Sequence, residues 1–116
     1  MSDCIFCRIA AGEIPADIVY QDERVVAFKD LHPVAPVHIL IVPRDHTENI
    51  MTLSGLENGQ SIMSAVLQAI PPIATAMGVS ESGFRLISNC GADGGQTIRH
   101  VHFHLIGGRH LGDRLL

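Results

Sequence analysis

The chain has no run of about eighteen or more apolar residues, and its first residues, Met1-Ser2-Asp3-Cys4, lack the basic-then-apolar layout of a secretory leader. Both absences predict a soluble, cytoplasmic protein with no membrane partner. Positive charge is scarce too. Eight Lys and Arg stand against twelve Asp and Glu, for a formal net charge of -4. That excludes broad binding to DNA or RNA, which needs many phosphates neutralised at once, but a single nucleotide needs far fewer cations. The three cysteines are too few and odd in number to form a disulfide framework, and a cytosolic setting would keep them reduced, so metal binding is the better question. Neither an internal repeat nor a low-complexity segment occurs, and 116 residues leave no room for a second domain. One domain spanning residues 1–116 is expected.

What is present is a foldable composition, 47% hydrophobic and 17% charged. Asp3 to Gly12 reads as a short helix with an acidic first turn and a glycine stop, placing Cys4 and Cys7 on one face. Ile18-Val19-Tyr20 and Val25-Val26-Ala27-Phe28 form a hairpin, and the two prolines of Asp30 to Pro36 make a loop leading into a central strand, His38 to Val42, ended by Pro43. Thr47 is a candidate helix cap. Ser61 to Met77 has helical apolar spacing, but Pro71-Pro72 predicts a kink or two helices. Two further strands are expected at Phe84 to Asn89 and Ile98 to Ile106. Strands at both ends with helix between them predict an α+β fold with a mainly antiparallel, five-stranded sheet, one main helix and a short N-terminal helix.

The strongest local signal is His100-Val101-His102-Phe103-His104-Leu105-Ile106. Side chains alternate along a strand, so all three histidines project from one face and the apolar residues from the other. A core would pay heavily for three unpartnered imidazoles. A solvated stripe or a three-histidine metal site are the alternatives to a catalytic set. Near neutral pH an imidazole is largely unprotonated and nucleophilic without a separate base, provided that its second nitrogen gives its proton to a fixed acceptor such as a backbone carbonyl. His102, flanked on its own face by two more donors, is the natural nucleophile. Just upstream, Gly94-Gly95-Gln96-Thr97 is either an ordinary hairpin loop or a turn whose amides and side chains approach a phosphate.

The stripe followed by Gly107-Gly108-Arg109 resembles the motif of the histidine triad family. So do Cys4-Ile5-Phe6-Cys7, Phe28-Lys29-Asp30, Pro36 to Pro43 and Asn89 to Thr97, in matching order and spacing over nearly the whole chain. Within that family the chain looks like the branch of the Hint-type nucleoside phosphoramidate hydrolases. The resemblance implies a homodimer whose sheets join edge to edge, and a purine nucleotide conjugate as substrate. His102 would attack the α-phosphate, forming a nucleotidyl-histidine intermediate and then releasing a nucleoside monophosphate such as AMP. Asp30 would hold the ribose hydroxyls, although by itself it reads as a cap of the proline loop. Leu31, Phe6 and Ile9 would line the base pocket, and Asn89, Gly95, Gln96, Thr97 and His104 would contact the phosphate. His38 is the fourth histidine bordering the site. Departing from the Hint-type pattern, the chain ends in Arg109 to Leu116 and lacks an aromatic, proline-rich tail. A dinucleoside polyphosphate hydrolase of the Fhit kind, or a nucleotide-binding interaction module with incidental hydrolysis, are the alternative functions.

Cys4 and Cys7 form a CxxC pair that reads either as small buried hydrophobes or as half of a tetrahedral zinc site. Likeness to bacterial members of the family supplies His46 and His100 as the other two ligands. Such zinc would be structural, with all four positions taken by protein, so catalysis would need no cofactor. Cys90 is expected to be a thiol outside the site, and His32 and His110 are expected at the surface.

Overall fold

The computed structural model describes residues 3–116, and the reading of Met1 and Ser2 as no part of a secretory leader lies outside them. Among the described residues the order is α1 (Ile5–Ala10), β1 (Ile18–Gln21), β2 (Val25–Lys29), β3 (Val37–Pro43), α2 (Ile50–Ser54), α3 (Gly59–Ala76), β4 (Phe84–Ile87) and β5 (Phe103–Gly107). The strands form one antiparallel five-stranded sheet in the order β1-β2-β3-β5-β4. No helix is long and apolar enough to cross a membrane among these residues.

β3 is buried along its whole length because both faces of the sheet are covered. Val37, Ile39 and Ile41 face α3, together with Phe103 and Leu105 of β5 and with Val101. Leu40 and Val42 face α1, where they meet Phe6, Ile9, Val26 and Phe28. α3 buries Ile62, Ala65, Val66, Ala69, Ile73 and Ala74, a stripe at three- and four-residue spacing.

The structure moves four boundaries. α1 begins at Ile5, with Cys4 rather than an acidic turn at its start: Cys4 Sγ accepts from the Cys7 amide at 3.4 Å, and Asp3 lies outside the helix. Its expected stop is real, since Gly12 takes φ +79, which a side chain would disfavour. Thr47 does not cap α2. Its side chain is buried against Thr52, Oγ to Oγ at 2.7 Å, and Asn49 caps instead, in a reciprocal box with Thr52. α3 runs unbroken through Pro71 and Pro72. The carbonyls that the two prolines leave without amide donors, on Leu67 and Gln68, lie on the exposed side, where water can bond them. Finally, β4 ends at Ile87 and β5 starts only at Phe103, because the backbone before β5 bonds elsewhere. The His100 amide donates to Ile98 O at 2.9 Å, the Val101 amide to Thr47 O at 2.8 Å, and Ser88 Oγ to His102 O at 2.9 Å.

Candidate active site

His100 and His102 therefore precede the strand and only His104 lies on it, yet the extended chain preserves the alternation. The apolar residues between them point to α3, while the His102 and His104 rings lie 5.2 Å apart on the α1 side. There His38 enters from β3, next to the His104 row of the sheet.

The protonation of each ring follows from neighbours that can act in one way only. A carbonyl oxygen only accepts, so its 2.7 Å contact with His102 Nδ1 puts the proton on Nδ1 and leaves Nε2 with a bare lone pair. On the other side of the site an amide that can only donate, that of Val34, meets His38 Nδ1 at 3.2 Å. Neutral His38 then carries its proton on Nε2 and offers it to His104 Nδ1 at 2.9 Å, which leaves His104 with a proton on Nε2. One face thus presents a nucleophilic nitrogen on His102 beside a donor N–H on His104. Burial, with the neighbouring His102 and His38, pushes His104 down to about 4 against a weaker upward pull from Asp30, so its ring is neutral at neutral pH.

Asp30 lies 3.4 Å from His38 Nε2 through Oδ2, and its Oδ1 takes the His32 amide at 2.8 Å. The loop-capping role is thus present, with the carboxylate at the edge of the histidine group. Phe6 packs edge-on against His102, ring centroids 4.9 Å apart, and Ile9 is buried beside it. Leu31 stands in solvent, 89% exposed. The glycine-rich turn closes on itself: the Gly95 amide bonds Ala92 O, the Gln96 amide bonds Gly91 O, and Asn89 Nδ2 donates to Gly94 O at 2.7 Å. Gln96 bonds Glu48 O, Ile98 O and the Gly91 amide through its side chain, so it braces the turn, while Thr97 is exposed. Gly94 is required there, because a Cβ would fall 2.4 Å from Cys90 O.

On the far side of Phe6, Cys4, Cys7, His46 and His100 bring one donor atom each within 4.8 Å of one another. His100 Nδ1 is 3.3 Å from Cys4 Sγ, 3.5 Å from Cys7 Sγ and 3.2 Å from His46 Nδ1, and Cys7 Sγ is 3.3 Å from His46 Nδ1. Ligands about 2.0 to 2.3 Å from a tetrahedral zinc are about 3.3 to 3.8 Å from each other, so the set fits such an ion. His100 Nε2 donates to Pro43 O at 2.7 Å, which turns the Nδ1 lone pair toward the thiols. Burial is the main cause holding this ring below the ordinary imidazole range, with His46 and His102 adding and the Pro43 carbonyl opposing. The cluster could hold a metal ion. Asp30, His38 and His104 also lie close enough for one, but the Val34 amide on His38 Nδ1 favours a proton on the very nitrogen that would have to bind it.

The family model of the HIT domain matches residues 11–111. The chain belongs to the HIT family. It is 43% identical over 113 residues to the purine nucleoside phosphoramidase of Escherichia coli strain K12, covering 97% of this chain and 93% of that protein. Protein HitA of Neisseria gonorrhoeae is 40% identical over 107 residues, covering 92% of this chain and 97% of HitA. Among solved structures, a histidine triad protein from Clostridium difficile superposes with a TM-score of 0.91 at 46% identity, covering 98% of this chain and 97% of that one. A HIT family hydrolase from Clostridium thermocellum does so with a TM-score of 0.94 at 42% identity, covering 100% and 99%.

This HIT site also depends on residues that sequence reasoning passed over. The Val34 amide, Ser88 Oγ and the Pro43 carbonyl orient the histidines or their backbone, and no residue type announces them. Arg44 could have been suspected as a cation directly after the central strand. It donates to Ala10 O at 2.7 Å, Asp22 O at 2.8 Å and Gln21 Oε1 at 3.1 Å, and so fastens the end of α1 to the β1–β2 turn.

Proposed function

We propose that this HIT-type hydrolase attacks the α-phosphate of purine nucleoside phosphoramidates or related nucleotide conjugates. The observation that carries the reading is the 2.7 Å bond from His102 Nδ1–H to the His100 carbonyl, which leaves Nε2 as the nucleophile. Nε2 forms the bond to phosphorus, the phosphorus–nitrogen bond breaks, and the amine leaves with a proton that His104 Nε2–H is placed to supply. Water then cleaves the nucleotidyl-histidine bond, its oxygen joining phosphorus and its proton replacing the one that His104 gave up, which releases the nucleoside monophosphate and restores both rings. Asp30 is proposed to hold the ribose, with Phe6, Ile9 and Leu31 at the base, and Asn89, Gly95, Gln96 and Thr97 at the phosphate. The similarity to the Escherichia coli phosphoramidase supports this substrate class.

Cys4, Cys7, His46 and His100 are proposed to hold a structural zinc ion, on the fit of their donor spacing. Residues 1–116 are proposed to act as one domain of a cytoplasmic homodimer. The deciding experiment is hydrolysis of adenosine 5′-phosphoramidate by the wild type and by His102→Ala. The wild type should release AMP and the variant should be slower by at least about a thousandfold, with nucleotide trapped on His102 of the wild type alone. Equal release by both proteins would refute the mechanism.

A further inference from the structure

The Cys4, Cys7, His46 and His100 cluster touches the catalytic machinery at three separate points. His100 supplies the carbonyl that sets the tautomer of His102, at 2.7 Å. Cys7 directly follows Phe6 on α1, and the Phe6 ring meets His102 edge-on at 4.9 Å and His100 at 5.9 Å. His46 leads into Thr47, whose carbonyl takes the Val101 amide at 2.8 Å, and Glu48, whose carbonyl takes Gln96 Nε2 at 2.6 Å and so braces the glycine-rich turn.

We propose that this cluster is a positioning device: closing it round a tetrahedral divalent ion sets the orientation of His102 and of the glycine-rich turn. The inference deepens the proposed function and rests on it. α1 has six residues, too few to hold a helix by its own hydrogen bonds, and Arg44 ties only its far end. Its first turn is located by the packing of Phe6 and by the two cysteines. Loosening Cys4 and Cys7 from His46 and His100 therefore frees Phe6 from the ring of His102 and lets the His100 backbone drift. Displacement of a reacting group by about 1 Å is enough to cost up to about a hundredfold in rate.

The test compares full-length protein loaded with zinc, cobalt(II) or cadmium with protein stripped by a chelator. Three readings are taken: ¹⁵N signals of the His102 ring, circular dichroism, and kcat and KM on adenosine 5′-phosphoramidate. Stripping should leave the sheet signal in place, lower kcat about tenfold or more, raise KM and shift or broaden the His102 ring signals, with zinc or cobalt restoring all of them. Cadmium, with longer bonds, should give intermediate turnover and ring signals displaced in step. Unchanged His102 signals and turnover across all forms would overturn the proposal and leave the cluster a simple staple. Should the stripped chain unfold, the three loaded forms decide alone: identical ring signals and turnover in them overturn it. If no form releases AMP, the proposed reaction falls, while the His102 signals still decide whether the cluster positions the ring.

Discussion

At the scale of single residues, the function of an imidazole depends on which nitrogen holds the proton. His102 and His104 sit on one surface with opposite answers, one set by a carbonyl and the other by an amide acting through His38. The sequence stripe shows that three histidines share a face, and nothing more, because the tautomers depend on how the backbone bends back onto the rings and, for His104, on His38 66 positions away. Replacing His38 by leucine removes the donor to His104. A reacting group misplaced by about 1 Å can cost about a hundredfold, so kcat should fall about 10- to 100-fold while affinity for AMP, read by calorimetry, stays within a fewfold. A second expectation concerns acid. His104 ionises near 4 in the folded protein against an ordinary 6.5, so between these values the unfolded chain takes up a proton that the folded one refuses. Its contribution to stability is therefore complete above about pH 6.5 and is lost as the pH falls toward 4. Melting temperatures measured from pH 7 downward should drop across this window, and the drop should be shallower in His104→Gln.

At the scale of elements, periodicity located the strands and the main helix, and the errors have one common source. Local rules alone place Thr47, the prolines of α3 and the start of β5, and in each case a distant group or the solvent supplies what the local rule lacks. Thr47 is drawn inward by Thr52 and by the Val101 amide, and the helix start passes to Asn49. Pro71 and Pro72 are tolerated because they lie on the exposed side of α3. They still leave two amide bonds unmade. Pro72→Ala should raise stability by about 1 kcal/mol, the recovered helix bond being partly offset by the freer unfolded chain, as read from the urea midpoint. An unchanged or lower midpoint would show that the carbonyl of Gln68 gains nothing from an amide partner.

At the scale of the whole molecule, the sheet has two open edges among the described residues, β1 and β4. β4 carries Phe84 and Leu86, both more than a third exposed, on the side of the sheet where Leu105, the cross-strand partner of Leu86, enters the core. An edge with unpaired backbone and apolar side chains is a ready seat for a second strand, which suits the proposed edge-to-edge homodimer. Leu86→Lys should shift the protein toward monomer in sedimentation equilibrium while its circular dichroism is kept. A monomeric wild type, or a variant that stays dimeric, would place the contact elsewhere.

By itself the sequence determined whatever depends on neighbours along the chain: the antiparallel sheet with one main helix, the burial of β3, and the common face of His102 and His104. These are consequences of side-chain alternation and helical pitch, which act over a few residues. Tertiary structure alone decided which groups from remote segments meet. Cys4 reaches His100 across 96 positions, His38 meets His104 across 66, and Gln96 donates to the Glu48 carbonyl across 48. Register between strands and the docking of α1 make those meetings, and both arise from burying two faces of one sheet at once, a condition that no local segment expresses.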